Sequence, residues 1–401
     1  MHRCPSRRRW AMLIIWLIIR PDWRTRGSKS KEFGSTWSMT ESKARKKPDM
    51  VMVTGFPRLL SKGLARKALN TRPRRTVVLL VSHTARDATQ EWIEALKSAD
   101  QRYLKVVNGT PGSVDAGLSG REIKALQANL THIFHADVEP TGPHGDPNVY
   151  LENLNRLIML SRSCTRFQRF CFFSTAFISG DRSGLVAAEE LEMGQSLRTS
   201  FERYMMKAEG IIRASMPRLP MTVFRPSSMI GHSQTGDAHG LTEGPSYLLS
   251  LMLRMPTEIP VFLPGSGVVP FNIVPIDYVV DAAWVLAYEP AASGRTFHLT
   301  DPNPVSAKQA FELLADIANR PAPRFGTLIA GFARRVVAQT RLGRLMPFAR
   351  VVVGDLTQHV TYDCSGALEL LAPTGVRCPP FDAYADALVI WMANLEKTRR
   401  G

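Results

Sequence analysis

The sequence predicts an α/β fold: a doubly wound parallel sheet with a smaller C-terminal unit. Three observations carry that expectation. Apolar runs of strand length recur at residues 51–53, 76–81, 103–107, 131–135, 170–174 and 221–224, and segments with apolar residues at helical spacing separate them. Such alternation with short links specifies parallel strands covered by helices on both faces and wound in the right-handed sense. The runs at 51–53 and 77–81 are continuously apolar, as expected of strands buried on both faces. At 401 residues with 44% hydrophobic content, the chain can bury a substantial core yet exceeds one ordinary compact domain, so two units are expected.

Residues 1–48 form a basic extension. They hold 13 Lys/Arg against 3 Asp/Glu, so most of the formal charge of +16 sits there. The rest is mildly basic without an aromatic-interleaved stripe, which argues against a nucleic-acid partner. Arg7–Arg9 and the apolar run 10–19 resemble the start of a signal sequence, but no small-residue cleavage site follows and ten apolar residues are too few to span a bilayer. A membrane-surface segment, a disordered extension and upstream sequence from a wrong start codon are the three readings. The last two are favoured, with Met39 heading a short polar lead into the first strand. Cys4, Cys164, Cys171, Cys364 and Cys378 lack metal-type pairing; they suit reduced thiols in a cytoplasmic chain and imply no metal site.

The first strand, turn and helix, 51–69, organise the remainder. Thr54-Gly55-Phe56-Pro57 breaks the strand, and Leu60, Leu64 and Leu69 begin a helix, so a helix N-terminus stands just past a strand end where a pyrophosphate could bind. Arg58 and Ser61 occupy two positions where a dinucleotide fingerprint has small residues, which leaves a purely structural turn as the other reading. The strand 76–81 ends at Ser82-His83, with neither the acid that reads an NAD ribose nor the Arg that accommodates the NADP phosphate. Helices follow at 91–97, 123–130, 148–163 and 195–214. After Arg225-Pro226 the texture changes to a Gly-, His-, Ser- and Thr-rich loop at 231–244, then a helix at 247–255, a strand at 271–274, a helix at 277–288 and a last sheet strand at 296–299. The expected organisation is a core over 49–225, completed by 271–300, with 226–270 and 301–401 forming the second unit and a helix at 381–395 closing the chain.

These segments together resemble the extended short-chain dehydrogenase/reductase family, in the branch of fatty acyl and thioester reductases. The matches are TGFP at 54–57, THIFH at 131–135, FFSTAFISGDRSG at 172–184, VFRPSSMIG at 223–231, PGSGVVPFNIVPIDYVVDA at 264–282 and HLTDPNP at 298–304. The resemblance implies a Rossmann-like core that binds NADH or NADPH, with a substrate-side second unit and a small-molecule substrate. Cofactor contacts are implied at Thr54, Gly55, Phe56, Pro57, Arg58, Ser82, His135, Ser174, Arg225 and Pro226. His135, which ends an apolar strand, also reads as a packed core histidine, and His83 and His144 are weaker candidates for a base.

The family's chemistry uses a Tyr, a Lys four residues later and a Ser or Thr at a strand end. Thr175 matches the last, but Phe201 stands at the Tyr position and Met205 at the Lys position. Further departures are Thr110 for an Asp, and Asp137 and Val138 for small residues lining the cofactor. A phenol that protonates the developing alkoxide is worth roughly 10²- to 10⁴-fold. Tyr204 and Lys207, three residues apart on the same helix, form a candidate replacement pair beside Thr175. His232, Ser233, Thr235 and Asp237 fall in the loop over the substrate. Two functions follow: an NAD(P)H-dependent reductase acting on a carbonyl of a secondary metabolite, aromatic or of polyketide or quinoline type, and a catalytically inactive relative that binds or scaffolds.

Overall fold

The computed structural model describes residues 48–109, 117–137, 146–238, 245–254, 260–326, 354 and 356–400. The basic extension (except Pro48), Thr110, Val138 and His144 lie outside the described residues. The first half of the described chain runs β1 (Met50–Thr54), α1 (Leu59–Asn70), β2 (Thr76–Val81), α2 (Arg86–Glu94), α3 (Ser98–Gln101), β3 (Leu104–Asn108), α4 (Gly120–Asn129), β4 (Leu130–His135), α5 (Pro147–Ser163) and β5 (Arg169–Phe173). It continues through β6 (Gly184–Val186), α6 (Ser200–Ser215), β7 (Met221–Pro226), β8 (Ser228–Met229), α7 (Pro245–Arg254), β9 (Phe262–Pro264), β10 (Ile273–Val274), α8 (Ile276–Tyr288) and β11 (Thr296–Leu299). The last elements are α9 (Ala307–Ile317), β12 (Arg324–Gly326), β13 (Val360–Tyr362), α10 (Ser365–Leu371) and α11 (Ala385–Arg400).

Seven of these strands form one parallel sheet in the order β11-β7-β5-β4-β1-β2-β3. Alternate side chains divide its two faces. Val51, Val53, Phe134, Phe173 and Phe224 pack against Leu60 and Leu64 of α1 and Val279 and Ala283 of α8. Met52, Ile133, Phe170 and Phe172 are buried on the opposite face, which α4, α5 and α6 cover as a connected layer. Each fully buried Leu or Phe contributes about 1.5–3 kcal/mol, so both faces bind their helices firmly and the doubly wound arrangement follows.

A second core collects Leu249 and Met252 of α7, Phe311 and Leu314 of α9, and Phe381, Tyr384 and Leu388 at the C-terminal end, together with Ile230 and Phe271. Two short parallel ladders tie distant segments together: β13 pairs with β6, and β12 with β9. Among the described residues no helix is long and apolar enough to cross a membrane.

Several element boundaries differ from the sequence reading, and four of the differences bear on packing. The helix expected at 91–97 begins at Arg86 and places Trp92 edge-on to Phe56, with ring centroids 4.8 Å apart. The helix expected from 195 starts at Ser200, because Thr199 accepts from the Glu202 N–H at 3.1 Å and fixes the N-cap there. The strand expected at 271–274 is the two-residue β10, which pairs with β8 outside the main sheet. The closing helix is interrupted at Tyr384, leaving a single 3₁₀ turn at Phe381–Ala383 before α11.

Candidate dinucleotide and carbonyl site

The turn after β1 is shaped by Gly55. Its φ of +76° disfavours any side chain, and a Cβ there would lie 2.5 Å from the Ala136 carbonyl oxygen. The turn therefore presses directly on the end of β4. Ser61 is fully buried, and its hydroxyl donates to the Gly55 and Arg58 carbonyls at 3.0 and 2.8 Å. A serine in place of a glycine is thus absorbed by closing the turn. Arg58 is the N-cap residue of α1 yet makes no side-chain cap bond, and no acidic residue occupies the first turn. Among the described residues, the N–H groups of Leu59, Leu60 and Ser61 meet no protein acceptor. An uncapped twelve-residue helix with its positive dipole end at a strand terminus fits a pyrophosphate.

Of the expected cofactor contacts, several side chains point elsewhere. Phe56 is buried against Trp92, so only its backbone faces the turn. Thr54 and His135 are both buried and joined by a 2.8 Å hydrogen bond at Nδ1. His135 lies among Tyr150, Phe170 and Phe172, and burial pushes its pKa down to about 3, so it is a neutral core histidine and not a ligand contact or base. Pro57 is half-buried in the turn, and Pro226 is buried at the end of β7. Ser82 is half-buried, 3.0 Å from the exposed Thr84 hydroxyl, and the exposed Arg86 reaches across to Asn108 at the end of β3.

Arg225 requires the largest correction. It is fully buried and gives two hydrogen bonds to Glu209, at 3.0 and 2.7 Å, one to the Glu190 carbonyl at 2.8 Å, and one to His298 Nε2 at 3.5 Å. Arg213 adds a second cation to Glu209 at 2.9 Å. Burial alone would raise the Glu209 pKa, but the charge and hydrogen bonds of Arg225, with Arg213, hold it below the usual carboxylate range. Arg225 thus anchors β7 to α6 and cannot reach a dinucleotide. A Glu within the apolar stripe of α6 and an Arg inside an apolar strand were the sequence signals of this pair, since buried charges must find partners.

On the carbonyl side, Thr175 is buried at the end of β5 and accepts from the Phe177 N–H at 3.3 Å, which leaves its own hydrogen available to donate. Ser174 is buried beside it, its N–H bonded to the Phe224 carbonyl. Met205 is fully buried, and Phe201 is half-buried with its ring edge-on to Tyr204 at 5.5 Å. Tyr204 is buried and its ring lies 5.3 Å from that of Tyr150. Lys207 is exposed, so the expected Tyr204–Lys207 pair is not held together in the core. Tyr150, which the sequence did not single out, donates to the Asp137 carbonyl at 3.0 Å; burial, Asp137 and Tyr204 all push its phenol up, so it stays protonated. Its signal was an aromatic residue in the first turn of the helix that follows β4. Of the loop residues expected over the substrate, Ser233 bonds Asp277 through its N–H at 2.7 Å and its hydroxyl. Beside Phe177, the space between Arg198, Ser228, Asn272, Gln358 and Tyr362 is about 10 Å³, room for a single water.

Comparison with known proteins adds the family. Over 218 residues the chain is 27% identical to the non-canonical nonribosomal peptide synthetase cpsA of Aspergillus campestris, a match covering 50% of this chain and 20% of that protein. Over 98 residues it is 33% identical to the non-canonical nonribosomal peptide synthetase FrzA of a Cladobotryum species, covering 24% and 9%. The chain thus matches only a minor part of each relative. Among solved structures, the terminal R domain from the myxalamid PKS-NRPS biosynthetic pathway superposes with a TM-score of 0.69 at 22% identity, over 88% of this chain and 91% of that one. The reductase domain of a nonribosomal peptide synthetase from Mycobacterium tuberculosis gives 0.64 at 18%, over 88% and 92%. A UDP-glucuronic acid 4-epimerase from Bacillus cereus, in complex with NAD, gives 0.59 at 16%, over 87% and 98%. These likenesses share the fold seen here. The model of the NAD-binding family described as male sterility protein matches residues 53–283, and the chain belongs to that family of extended short-chain dehydrogenase/reductase-like proteins.

Proposed function

We propose that this chain is an NAD(P)H-dependent reductase domain of secondary metabolism that reduces the thioester carbonyl of a peptide- or polyketide-type acyl chain, aromatic and quinoline-type acyl groups included. The observation that carries the reading is the uncapped N-terminus of α1 above the Gly55 turn, which offers three N–H groups to a pyrophosphate. The bound dihydronicotinamide supplies a hydride. The chain's residues then have one task at the carbonyl: the Thr175 hydroxyl, free to donate, holds the oxygen as charge develops on it.

The acyl class follows from what is missing. A ketone or aldehyde becomes an alkoxide that must be protonated, the work of the family's Tyr and Lys, and Phe201 and Met205 supply no proton. A thioester differs: after hydride addition the alkoxide re-forms C=O, the C–S bond breaks and the pair leaves on sulfur. A thiolate, with a thiol pKa near 8.5, departs without help from an acid. The expected product is an aldehyde, with little further reduction. Substrate entry beside Phe177 needs Gln358, which bonds the Gly180 carbonyl at 2.8 Å, and Arg198 to move aside.

Incubation with NADPH and a simple acyl thioester, with product identified by mass spectrometry, tests this reading; aldehyde as main product supports it. If calorimetry finds no binding of NADH or NADPH, the reading fails. The alternative of an inactive binding protein then stands, favoured by the exposed Lys207 and buried Met205.

Cofactor choice gives a separate expectation. Ser82 alone tolerates NADH, but Arg86 and the Ser82 and Thr84 hydroxyls stand at the end of β2 with no carboxylate among them, a set suited to a 2′-phosphate. Arg86→Ala should weaken NADPH binding by about 10- to 150-fold, as loss of a charge-assisted bond of about 1.5–3 kcal/mol implies, and leave NADH binding unchanged. Equal affinity of the variant and parent for NADPH would exclude Arg86 from the site.

A further inference from the structure

The C-terminal ends of β2 and β3 lie side by side. Val81 and Asn108 are register partners, and the Gly109 N–H donates to the Val81 carbonyl at 2.9 Å. Asn108 therefore stands one strand spacing, about 4.8 Å, from the residue that precedes Ser82. The Ser82 and Thr84 hydroxyls, 3.0 Å apart, follow β2 directly. α2 begins at Arg86, whose Nε donates to Asn108 Oδ1 at 3.0 Å, so its guanidinium is drawn back over the strand ends. Both side chains are exposed, and among the described residues Arg86 is in no ion pair and its two Nη groups meet no acceptor.

The kind of acceptor decides what this contact does. A guanidinium carries five N–H donors in a rigid planar fork. An amide oxygen engages the Nε edge and has no charge, so the cation stays whole and both Nη groups remain to meet another acceptor. A carboxylate in the same place would pair with the fork and cancel its charge. The acids nearest along the chain, Asp87 and Glu91, are exposed on α2, and neither is in an ion pair with Arg86. Holding a long side chain in place beforehand also spares the entropy lost when a ligand immobilises it, worth about two- to tenfold in affinity.

We propose that Asn108 is the positioning residue of the 2′-phosphate subsite: it holds Arg86 at the ends of β2 and β3 without neutralising it, so that the Nη groups meet the extra phosphate of NADPH beside the Ser82 and Thr84 hydroxyls. The inference rests on the reading of the chain as an NAD(P)H-dependent reductase and names the residue that, through Arg86, sets its choice between the two cofactors. Asn108 itself touches neither cofactor.

The experiment is calorimetric titration of the full chain with NADPH and with NADH, for the parent, Asn108→Ala, Asn108→Asp, Arg86→Ala and the double variant Arg86→Ala with Asn108→Ala. Asn108→Ala should weaken NADPH binding about two- to tenfold, the value of the lost pre-organisation. Asn108→Asp should weaken it further, because Arg86 then pairs with the new carboxylate, which also repels the phosphate. NADH affinity should stay at the parent value in each variant; this reports an intact fold and makes the ratio of the two affinities the quantity that moves, which loss of a structural contact alone would not change. With Arg86 already replaced, Asn108→Ala should have no further effect, the non-additivity of residues acting as one unit. Unchanged NADPH affinity in Asn108→Ala overturns the proposal, as do equal losses for both cofactors or additive effects in the double variant. Tighter NADPH binding by Asn108→Ala overturns it too, since the contact would then be a latch that the phosphate has to break. A parent that binds NADH and not NADPH overturns this proposal and leaves the dinucleotide reading standing; a parent that binds neither overturns both.

Discussion

Glu209→Ala is expected to lower the unfolding free energy by about 3–5 kcal/mol, the cost of leaving a buried partner charge uncompensated. Glu209 and Arg225 are both essentially inaccessible to water, and the remaining Arg225 contacts, the Glu190 carbonyl and the neutral His298, carry no opposing charge. Urea denaturation would read the loss as a fall in midpoint. Replacing both partners, Glu209→Leu with Arg225→Met, should be far milder than Glu209→Ala, because the fully buried charge is then gone and Arg213, which also loses Glu209, is partly exposed and keeps the Ala188 and Glu189 carbonyls. A Glu209→Ala protein within about 1 kcal/mol of the parent would show that water reaches Arg225. The same pair sets an acid limit. The Glu209 pKa in the fold lies below its ordinary value of 4.5, so its stabilisation is complete above that pH and is lost as pH falls toward the folded value. In the Glu209→Ala protein that part of the acid dependence should be absent.

The paired substitution Phe201→Tyr and Met205→Lys is expected to raise reduction of a simple aldehyde by roughly 10²- to 10⁴-fold, the usual worth of a positioned acid. Phe201 is half-buried, so a phenol there keeps the ring contact with Tyr204. Met205 is fully buried, so the new ammonium is desolvated and its pKa falls; the cost is some stability, and the gain is a cation next to the phenol. Phe201→Tyr alone should give a smaller increase, since nothing then lowers the phenol's pKa. Thioester reduction should change little in either variant, because its leaving group needs no acid. If the double variant binds NADPH and still leaves aldehydes untouched, the missing proton is not what limits the parent.

Much of the fold was legible because its signals are local. β2 and β11 coincide with their apolar runs to the residue, and continuously apolar strands could only be buried on both faces. What the sequence hid depends on long-range register. The position of Arg225 opposite Glu209 follows from how α6 lies on β7, and no spacing within either segment encodes it. The side-chain parity of β4 put Thr131, Ile133 and His135 on one face, but only the packed sheet reveals that this face looks toward Tyr150 and Phe172 and not toward a ligand. Ser61 looked like damage to a glycine pattern and is instead a closing hydrogen bond. The vacant Tyr and Lys positions were readable at once, because they are single residues in a recognisable helix.

The strand order also governs how the protein is made. The sheet grows outward from β1 during synthesis, through β2 and β3 on one side and β4, β5 and β7 on the other, and is closed by β11, which follows only after β8, α7, β9, β10 and α8. Until Thr296–Leu299 leaves the ribosome, β7 presents an unpaired edge and Arg225 lacks His298. Nascent chains of intermediate length therefore expose a template for aggregation and call for chaperone protection. For the same reason, a fragment that stops after β7 is not an excisable dinucleotide-binding domain: it lacks its edge strand and α8, the helix that covers α1's face of the sheet.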